Sequence, residues 1–478
     1  MDASRLQFEE KAGGQVTDVV IGFDFGTAST KVVVRFPFLD GEPGVGRAYA
    51  VPFAAAGHPG NPFLLPTGIR FDDEGQAELA PASTPGWLSN LKGRVVQELR
   101  DLSAETADVK ASLLGRLEQP CGRDTRDPFG EAVAFVALAL RGAREWVLSD
   151  PNLRAAYSRY QLRWSLHFGA PTGYAREPAL DWALEAIGHA GWLASLRSLV
   201  KRGGARGQLR DVVKALGPPP ARELPRDLND FLVVPEVVAE AIGYARTPEL
   251  RRPGLHFLVD AGAGTLDVSG FMLVLGDGAE VDVEQFHILE ARVDLRGTSV
   301  LQDARFMAIQ NAAAGLDRLA TVPGDFLTWA ATQPPLVVSV TDAETAFISK
   351  SAGVIVDVVM KVKKSRDPNN PAWRDEVSVF FCGGGSRVDQ FKRAVQRAGE
   401  RLATAGTWNR FVVRDLGRPN QAHLVAPAMA DGDFHRLAVA WGLSFLDLGD
   451  VRRPDEIEDI TPHVTNRPPA HFVDKDNM

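Results

Sequence analysis

Three glycine-rich stretches carry most of the chemistry legible in this chain. The first, Asp24-Phe25-Gly26-Thr27-Ala28-Ser29-Thr30-Lys31, follows a short apolar run with an acid, a small polar turn and a lysine. Glycine admits close backbone approach to an anion, and a tight turn aims several N–H groups at one set of oxygens. Thr27 and Ser29, on either side of Ala28, add hydroxyl donors, and Lys31 adds positive charge. Asp24 is placed to act on a hydrated magnesium ion, which keeps several of its waters when bound.

The second stretch repeats the arrangement. Asp260-Ala261-Gly262-Ala263-Gly264-Thr265-Leu266-Asp267 again sets an acid after an apolar run and before a turn of Gly262, Gly264 and Thr265. Two such loops facing one another would clamp both ends of a polyphosphate, the positioning and charge neutralisation that phosphoryl transfer needs. A surface hairpin would carry similar letters, but a second copy with its acid in the same place makes coincidence the poorer explanation. The third stretch, Phe380-Phe381-Cys382-Gly383-Gly384-Gly385-Ser386-Arg387, runs a strand into a triple-glycine turn at the mouth of a helix. Backbone contact with a flat ligand is possible there, and Arg387 is placed to stack on a base. A close-packed strand–helix turn would read the same way. No Gly-x-x-x-x-Gly-Lys-Ser/Thr pattern occurs, so none of the three is a Walker loop.

The elements that must hold these turns are short strands and amphipathic helices. Val19–Phe23 and Lys31–Phe36 read as strands around the first turn, and residues 255–273 as a second strand–turn–strand. Short strands are expected within Leu64–Gly86, around Asp72-Asp73-Glu74-Gly75. Leu162–Phe168 reads as a buried strand and Ser378–Cys382 as the strand before the third turn. Helices are predicted over Glu131–Leu148, Pro178–Leu199, Val234–Tyr244, Asp389–Ala403 and His435–Leu446. A Gly-turn hairpin thus opens each half of the chain, which suggests two related lobes with a cleft between them.

IGFDFGTASTK, FLVDAGAGTLDVS and FFCGGGSR occur in the order of the phosphate-one, phosphate-two and adenosine motifs. They resemble those of the actin, sugar-kinase and DnaK-type superfamily. Val233–Tyr244 resembles that family's first connecting helix and Phe434–Gly442 its closing helix. The five segments span about Ile21 to Leu446. The closest pattern is the nucleotide-binding half of DnaK-type heat-shock chaperones. The resemblance implies an α/β, two-lobed actin-like ATPase fold (ribonuclease H-like, duplicated) with an interlobe nucleotide cleft. It divides the chain into a flexible N-terminus at 1–16, lobe I at 17–250, lobe II at 251–448 and a polar tail at 449–478. Lobe I would hold an inserted subdomain at about 56–127 and a connector or insertion at 200–230, and lobe II an inserted subdomain at about 299–375.

It also implies ATP or ADP with Mg2+ as ligands and ATP hydrolysis as the activity, which the departure at Ala263 would slow. Asp24 and Asp260 would hold the metal through water, and Asp260, Glu236 and Asp24 would form the catalytic set. Gly26, Thr27, Ala28, Ser29, Lys31, Gly262, Gly264, Thr265 and Asp267 would surround the phosphates. Gly383, Gly384, Gly385 and Arg387 would face the nucleoside. Lys92, in Asn90-Leu91-Lys92-Gly93-Arg94, stands near the position of the chaperones' catalytic lysine but reads more simply as a solvated helix lysine. Lys31 sits where actins place a phosphate-binding lysine, and Ala263 replaces a family glycine. Pro235 and Glu236 stand in reversed order from the chaperone pair. No chaperone-like substrate-binding half follows Leu446, so client binding would fall to a separate protein partner or co-encoded subunit. An actin-like filament-forming ATPase and a small-molecule kinase are the alternatives, the latter without an identifiable acceptor base.

Charge and composition narrow the remaining classes. A net charge of -8 gives no general attraction to nucleic acid or an anionic membrane. Lys201, Arg202, Arg206, Arg210 and Lys214, and again Lys361, Lys363, Lys364 and Arg366, read as solvated faces. Cys121 and Cys382 alone cannot build a disulfide framework or a zinc site, and a reducing cytoplasm suits them. The polar N-terminus lacks the apolar core of a signal peptide, and no apolar run reaches membrane-spanning length. The nine histidines lack metal-ligand spacing, and His167 reads as a core residue. Asp455–Ile460 is a candidate docking peptide or simply a frayed end.

Overall fold

The computed structural model describes residues 15–452 apart from 40–45, 55, 59, 120–125, 171–177, 218–230, 248–250, 275–284, 314–333, 375, 405–410, 415, 421–422, 428 and 447–449. Cys121, residues 218–230 of the connector expected at 200–230, and the peptide Asp455–Ile460 lie outside the described residues.

The apolar run Val19–Phe23 is buried along its whole length, as expected of a strand covered on both faces. It belongs to β1 (Gln15–Asp24), which pairs antiparallel with β2 (Ser29–Phe36), Asp24 standing opposite Lys31. β3 (Arg47–Ala50) continues the meander. β4 (Leu65–Pro66) joins β2 at Ser29 and Thr30, and β5 (Gly68–Phe71) lies between β6 (Ala77–Glu78) and β7 (Leu88–Ser89) in a small separate sheet. Asp72 closes the turn before β6 by accepting from the Glu74 and Gln76 amides.

Helices α1 (Leu91–Glu105) and α2 (Val109–Glu118) follow, then α3 (Pro128–Ser149). Asp127 caps α3 by accepting from the Gly130 amide, with Pro128 in the first turn, where a missing N–H does no harm. After α4 (Pro151–Tyr157), β8 (Tyr160–Ala170) lies parallel to β1. Helices α5 (Pro178–Ser195) and α6 (Arg202–Ala215) then lead to β9 (Phe231–Pro235), parallel to β8, and α7 (Glu236–Ala245).

The second half repeats the plan. β10 (Gly254–Ala261), β11 (Leu266–Val274) and β12 (Gln285–Asp294) form an antiparallel meander, with Asp260 opposite Asp267. Helices α8 (Thr298–Ala313) and α9 (Pro334–Lys361) precede β13 (Val377–Cys382), which runs parallel to β10. α10 (Asp389–Thr404) leads to β14 (Phe411–Arg414), parallel to β13. β15 (Leu424–Val425), α11 (Ala438–Leu443) and β16 (Asp450–Arg452) complete the set. The seven-stranded sheet contains the order β3-β2-β1-β8-β9, and the six-stranded sheet the order β12-β11-β10-β13-β14. Order and strand sense are the same in both, so the repeat read from the two hairpins extends through five strands. The protein is mixed α/β, as the pattern of elements predicted.

Several expectations change. Residues 202–215 are a helix rather than a connector, because Ala205, Leu209, Val212 and Val213 share one buried face. Arg206 on that helix is paired with the buried Asp127, so this end of the basic stretch is not a solvated face. Lys361 is likewise held by the buried Glu290. Val234 and Pro235 end a strand, so the helix begins only at Glu236. The last predicted helix is shorter than expected, a 3-10 turn over Asp431–Arg436 followed by α11. Asp450–Arg452, expected in the polar tail, pairs with β12.

One core lies under the first sheet with α3 and α5, and another under the second sheet with α9 and α10. A third joins them, built on α7 and α11 together with Val33, Phe271 and Phe380. α7 and α11 touch backbone to backbone: a Cβ on Gly442 would lie 1.6 Å from the Ala239 carbonyl oxygen. Arg35 of β2 anchors the end of α11. Its guanidinium lies 4.2 Å from the Trp441 ring centre and 3.6 Å from that of Phe445, and its Nε donates to Ser444 Oγ at 3.1 Å.

Candidate functional site

Where the two sheets meet, the hairpin turns of β1–β2 and β10–β11 line one cleft of about 210 Å3. Each turn is fixed by its own short-range bonds. In the first, Gly26 N donates to Asp24 O, and Thr67 donates its hydroxyl to Gly26 O and its amide to Ala28 O. A side chain at Gly26 would meet the Ser29 carbonyl oxygen at 2.3 Å, so that position requires glycine. In the second, Gly262 N donates to Thr265 O, while the amides of Gly297, Thr298 and Ser299 at the start of α8 donate to the carbonyls of Gly264, Gly262 and Ala263. The turns also approach one another, since a Cβ on Gly264 would lie 3.3 Å from Thr27 Oγ1.

The third glycine turn closes the floor. Gly383 has φ +78°, and a Cβ there would fall 1.9 Å from Asp260 Oδ1. Only glycine combines that backbone conformation with that approach. Asp24, Gly26, Thr27, Ala28, Ser29, Lys31, Glu236, Asp260, Gly262, Thr265, Asp267, Gly383, Gly384 and Gly385 all line the cleft. Gly264 supports it from behind, through Thr27.

Arg387 does not line the cleft. It donates to Gly432 O at 2.9 Å and pairs with Asp433 at 2.5 Å, and so is turned toward the 3-10 segment before α11 rather than toward the cleft. Lys92 departs in the opposite sense. It is 6% exposed, and its Nζ lies 3.1 Å from Glu236 Oε1, so it is a cleft residue and not a solvated one. Leu91, Val95 and Leu99 bury one face of α1, and that burial carries Lys92 inward. Asp24 is held 2.8 Å from Lys31 Nζ. The acids that converge are Glu236, Asp260 and Asp267, each offering an oxygen within 4.8 Å of the others.

No protein-family model matches this chain, and no curated protein matches it either.

The electrostatics of the cleft are dominated by buried acids. Burial, reinforced by Glu236, raises Asp260 to about 7. Burial also pushes Asp267 and Glu240 well above the usual carboxylate range and raises Glu236, with Lys92 pulling Glu236 back. Asp260 Oδ1 and Asp267 Oδ1 have no hydrogen-bond partner among the described residues. Converging oxygen donors with unused lone pairs suit a hard cation such as magnesium. The residues present fit the metal that the sequence pattern implied; Asp24, expected beside Asp260, is paired with Lys31 and is not among the three acids that converge.

The sequence assigns no site role to Glu240, Thr298, His435, Arg436 or Val439, all of which line the cleft, as does Ala263 of the second turn. Glu240 carried a usable signal, four residues after Glu236 on one helix face. Thr298 carried none, because only the tertiary fold brings α8 to the cleft, whereas His435, Arg436 and Val439 lie in the segment that resembles the family's closing helix.

Proposed function

We propose that this chain is a magnesium-dependent ATPase of the two-lobed actin-like fold, closest to the nucleotide-binding part of DnaK-type chaperones. In this reading it is an ATP-driven switch acting on a separate protein partner. One observation carries the proposal: two glycine–threonine turns from repeated sheets face a shared cleft whose buried acids have unsatisfied oxygens. The choice of ATP rests on the sequence resemblance.

In this reading the backbone amides and hydroxyls of Gly26–Ser29 and Gly262–Thr265 grip the phosphates. Lys31 and Lys92 oppose their charge, and Gly383–Gly385 approach the nucleoside. Glu236, Asp260 and Asp267 would hold the magnesium ion, which when bound neutralises phosphate oxygens in the transition state. Asp260, first among these acids, orients the attacking water and takes its proton at a carboxylate oxygen, and Glu236 is second. The turns belong to different sheets, so gripping one ligand with both fixes the angle between them. Product release frees that angle across the α7–α11 contact.

The test is phosphate release from ATP with and without magnesium. Asp24→Asn and Asp260→Ala are each expected to lower turnover at least 100-fold, the scale for losing a positioned charge at a reacting centre. Normal turnover in both variants would remove the basis for the site. Lys31, inside the cleft and within reach of the first turn, favours the filament-forming alternative. Light scattering with ATP decides it, and a flat signal over a wide concentration range argues for the switch.

A further inference from the structure

Glu240 is a buried acid of the cleft that the scheme above does not use. It sits one helical turn beyond Glu236 on α7, is 2% exposed and lines the cleft. Its Oε1 has no hydrogen-bond partner among the described residues. The acid acting on it most strongly is Asp260, with Glu236 and Asp24 behind, and its side-chain partner is the Cys382 thiol, a weak donor. Stronger donors nearby are committed elsewhere. Lys92 is paired with Glu236 and Lys31 with Asp24. Thr247 Oγ1 and Trp441 Nε1, which flank Glu240 on its other side, both donate to Gly243 O.

The charge balance of the cleft sharpens the difficulty. Among the described residues, Asp24, Glu236, Glu240, Asp260 and Asp267 face only Lys31, Lys92 and Arg436 in the cleft lining, and Arg436 lies near Asp433 and Arg387. With all these groups ionised, negative charges exceed positive by two before any triphosphate enters. A magnesium–triphosphate complex is itself an anion and adds to the excess. Buried carboxylates in such surroundings are stable only when paired with positive charge or neutralised.

We propose that the floor of the cleft holds a second hard cation, with Glu240 as its distinguishing ligand and Asp260 shared between it and the Glu236–Asp260–Asp267 site. The donors are oxygens, which selects magnesium, calcium or manganese over thiophilic ions. The inference deepens the nucleotide-site reading in that the second cation would offset phosphate charge, but cation binding itself needs no nucleotide.

The test counts Mn2+ bound to the nucleotide-free full chain by equilibrium dialysis with electron paramagnetic resonance detection. Two ions per chain are expected for the parent and one for Glu240→Gln, with unchanged circular dichroism. Glu240→Asp, which keeps the charge on a shorter arm, should retain two ions with the weaker one released at least tenfold more easily. One ion or none in the parent, or two in Glu240→Gln, overturns the proposal. If Glu240→Gln does not fold, Glu240→Asp decides alone: an unchanged second affinity overturns the proposal. ATP binding is measured separately by calorimetry. Its absence alongside two bound ions would defeat the ATPase reading and leave the second cation standing.

Discussion

Replacing Lys92 with Met removes the ammonium from a pair whose side chains are 7% and 12% exposed. The fraction of a kcal/mol typical of exposed pairs does not apply at that depth. Breaking a buried pair from one side costs about 3–5 kcal/mol, because the remaining charge stays out of water. Here an escape limits the loss. Glu236 is already raised, by burial foremost and by Asp24, with Lys92 the chief opposing influence. Without Lys92 it takes up a proton, which places the cost near the low end, about 3 kcal/mol. Glu236→Gln strands the ammonium instead and should cost a similar amount. The double variant K92M/E236Q leaves a neutral contact and should cost only about 1 kcal/mol, so the coupling between the two changes is about 5 kcal/mol. Urea midpoints and hydrogen exchange in α1 and α7 are the readouts, since a chain of this size need not unfold in one step. ATP turnover should stay low in all three variants, because the double variant restores stability without restoring charge. A Lys92→Met midpoint equal to the parent's, or a double variant no more stable than either single one, would refute the reasoning.

Gly442→Ala would push a methyl to within 1.6 Å of the Ala239 carbonyl oxygen, and backbone cannot yield as a side chain would. We expect a fall of several degrees in Tm and a blunted response to ATP, read by calorimetry and tryptophan fluorescence. Gly353→Ala is the control, since nothing lies within 4 Å of its new methyl inside α9. It should be neutral or stabilising by about 0.5–1 kcal/mol. His167, His189 and His256 are each lowered by burial to about 4. Below pH 6.5 the unfolded chain therefore takes protons that the folded chain refuses, so stability is full above that pH and is lost as pH falls toward 4. At pH 5 the loss is about 2 kcal/mol per histidine. Because the raised acids Asp260, Asp267 and Glu240 shift stability the opposite way over this range, the check compares urea midpoints at pH 7.5 and 5 in the parent and in His189→Phe, and an equal pH dependence in both would contradict it.

The parts of the fold legible in the sequence are those with short-range causes. Asp24 and Asp260 follow apolar strands and precede turns whose glycines are needed within a few residues, so both hairpins could be placed from their letters. Asp127-Pro128 opens α3 by a local cap, and that helix lies close to its predicted span. The burial of Lys92 is not legible from its neighbours, because it depends on α1 settling against a core assembled from distant segments. The direction of Arg387 is likewise hidden in the sequence, since its partner Asp433 belongs to a segment more than forty residues away. α6 was read as a connector because its glycines and arginines outweigh four apolar residues whose spacing matters only once a core is there to receive them. Among the described residues, no helix is long and apolar enough to cross a membrane, in line with the apolar runs of the sequence.

The pairing of β15 with β3 has a consequence for synthesis. Leu424 and Val425 lie beside Ala48 and Tyr49, and Ala48 N donates to His423 O. At roughly 5–20 residues per second, the outer edge of β3 waits about 20–75 s on the ribosome before its partner is made. An open strand edge of this kind invites pairing with other chains. The nascent protein is therefore most exposed to aggregation after its first half has emerged, and ribosome-bound holding factors would matter most in that interval.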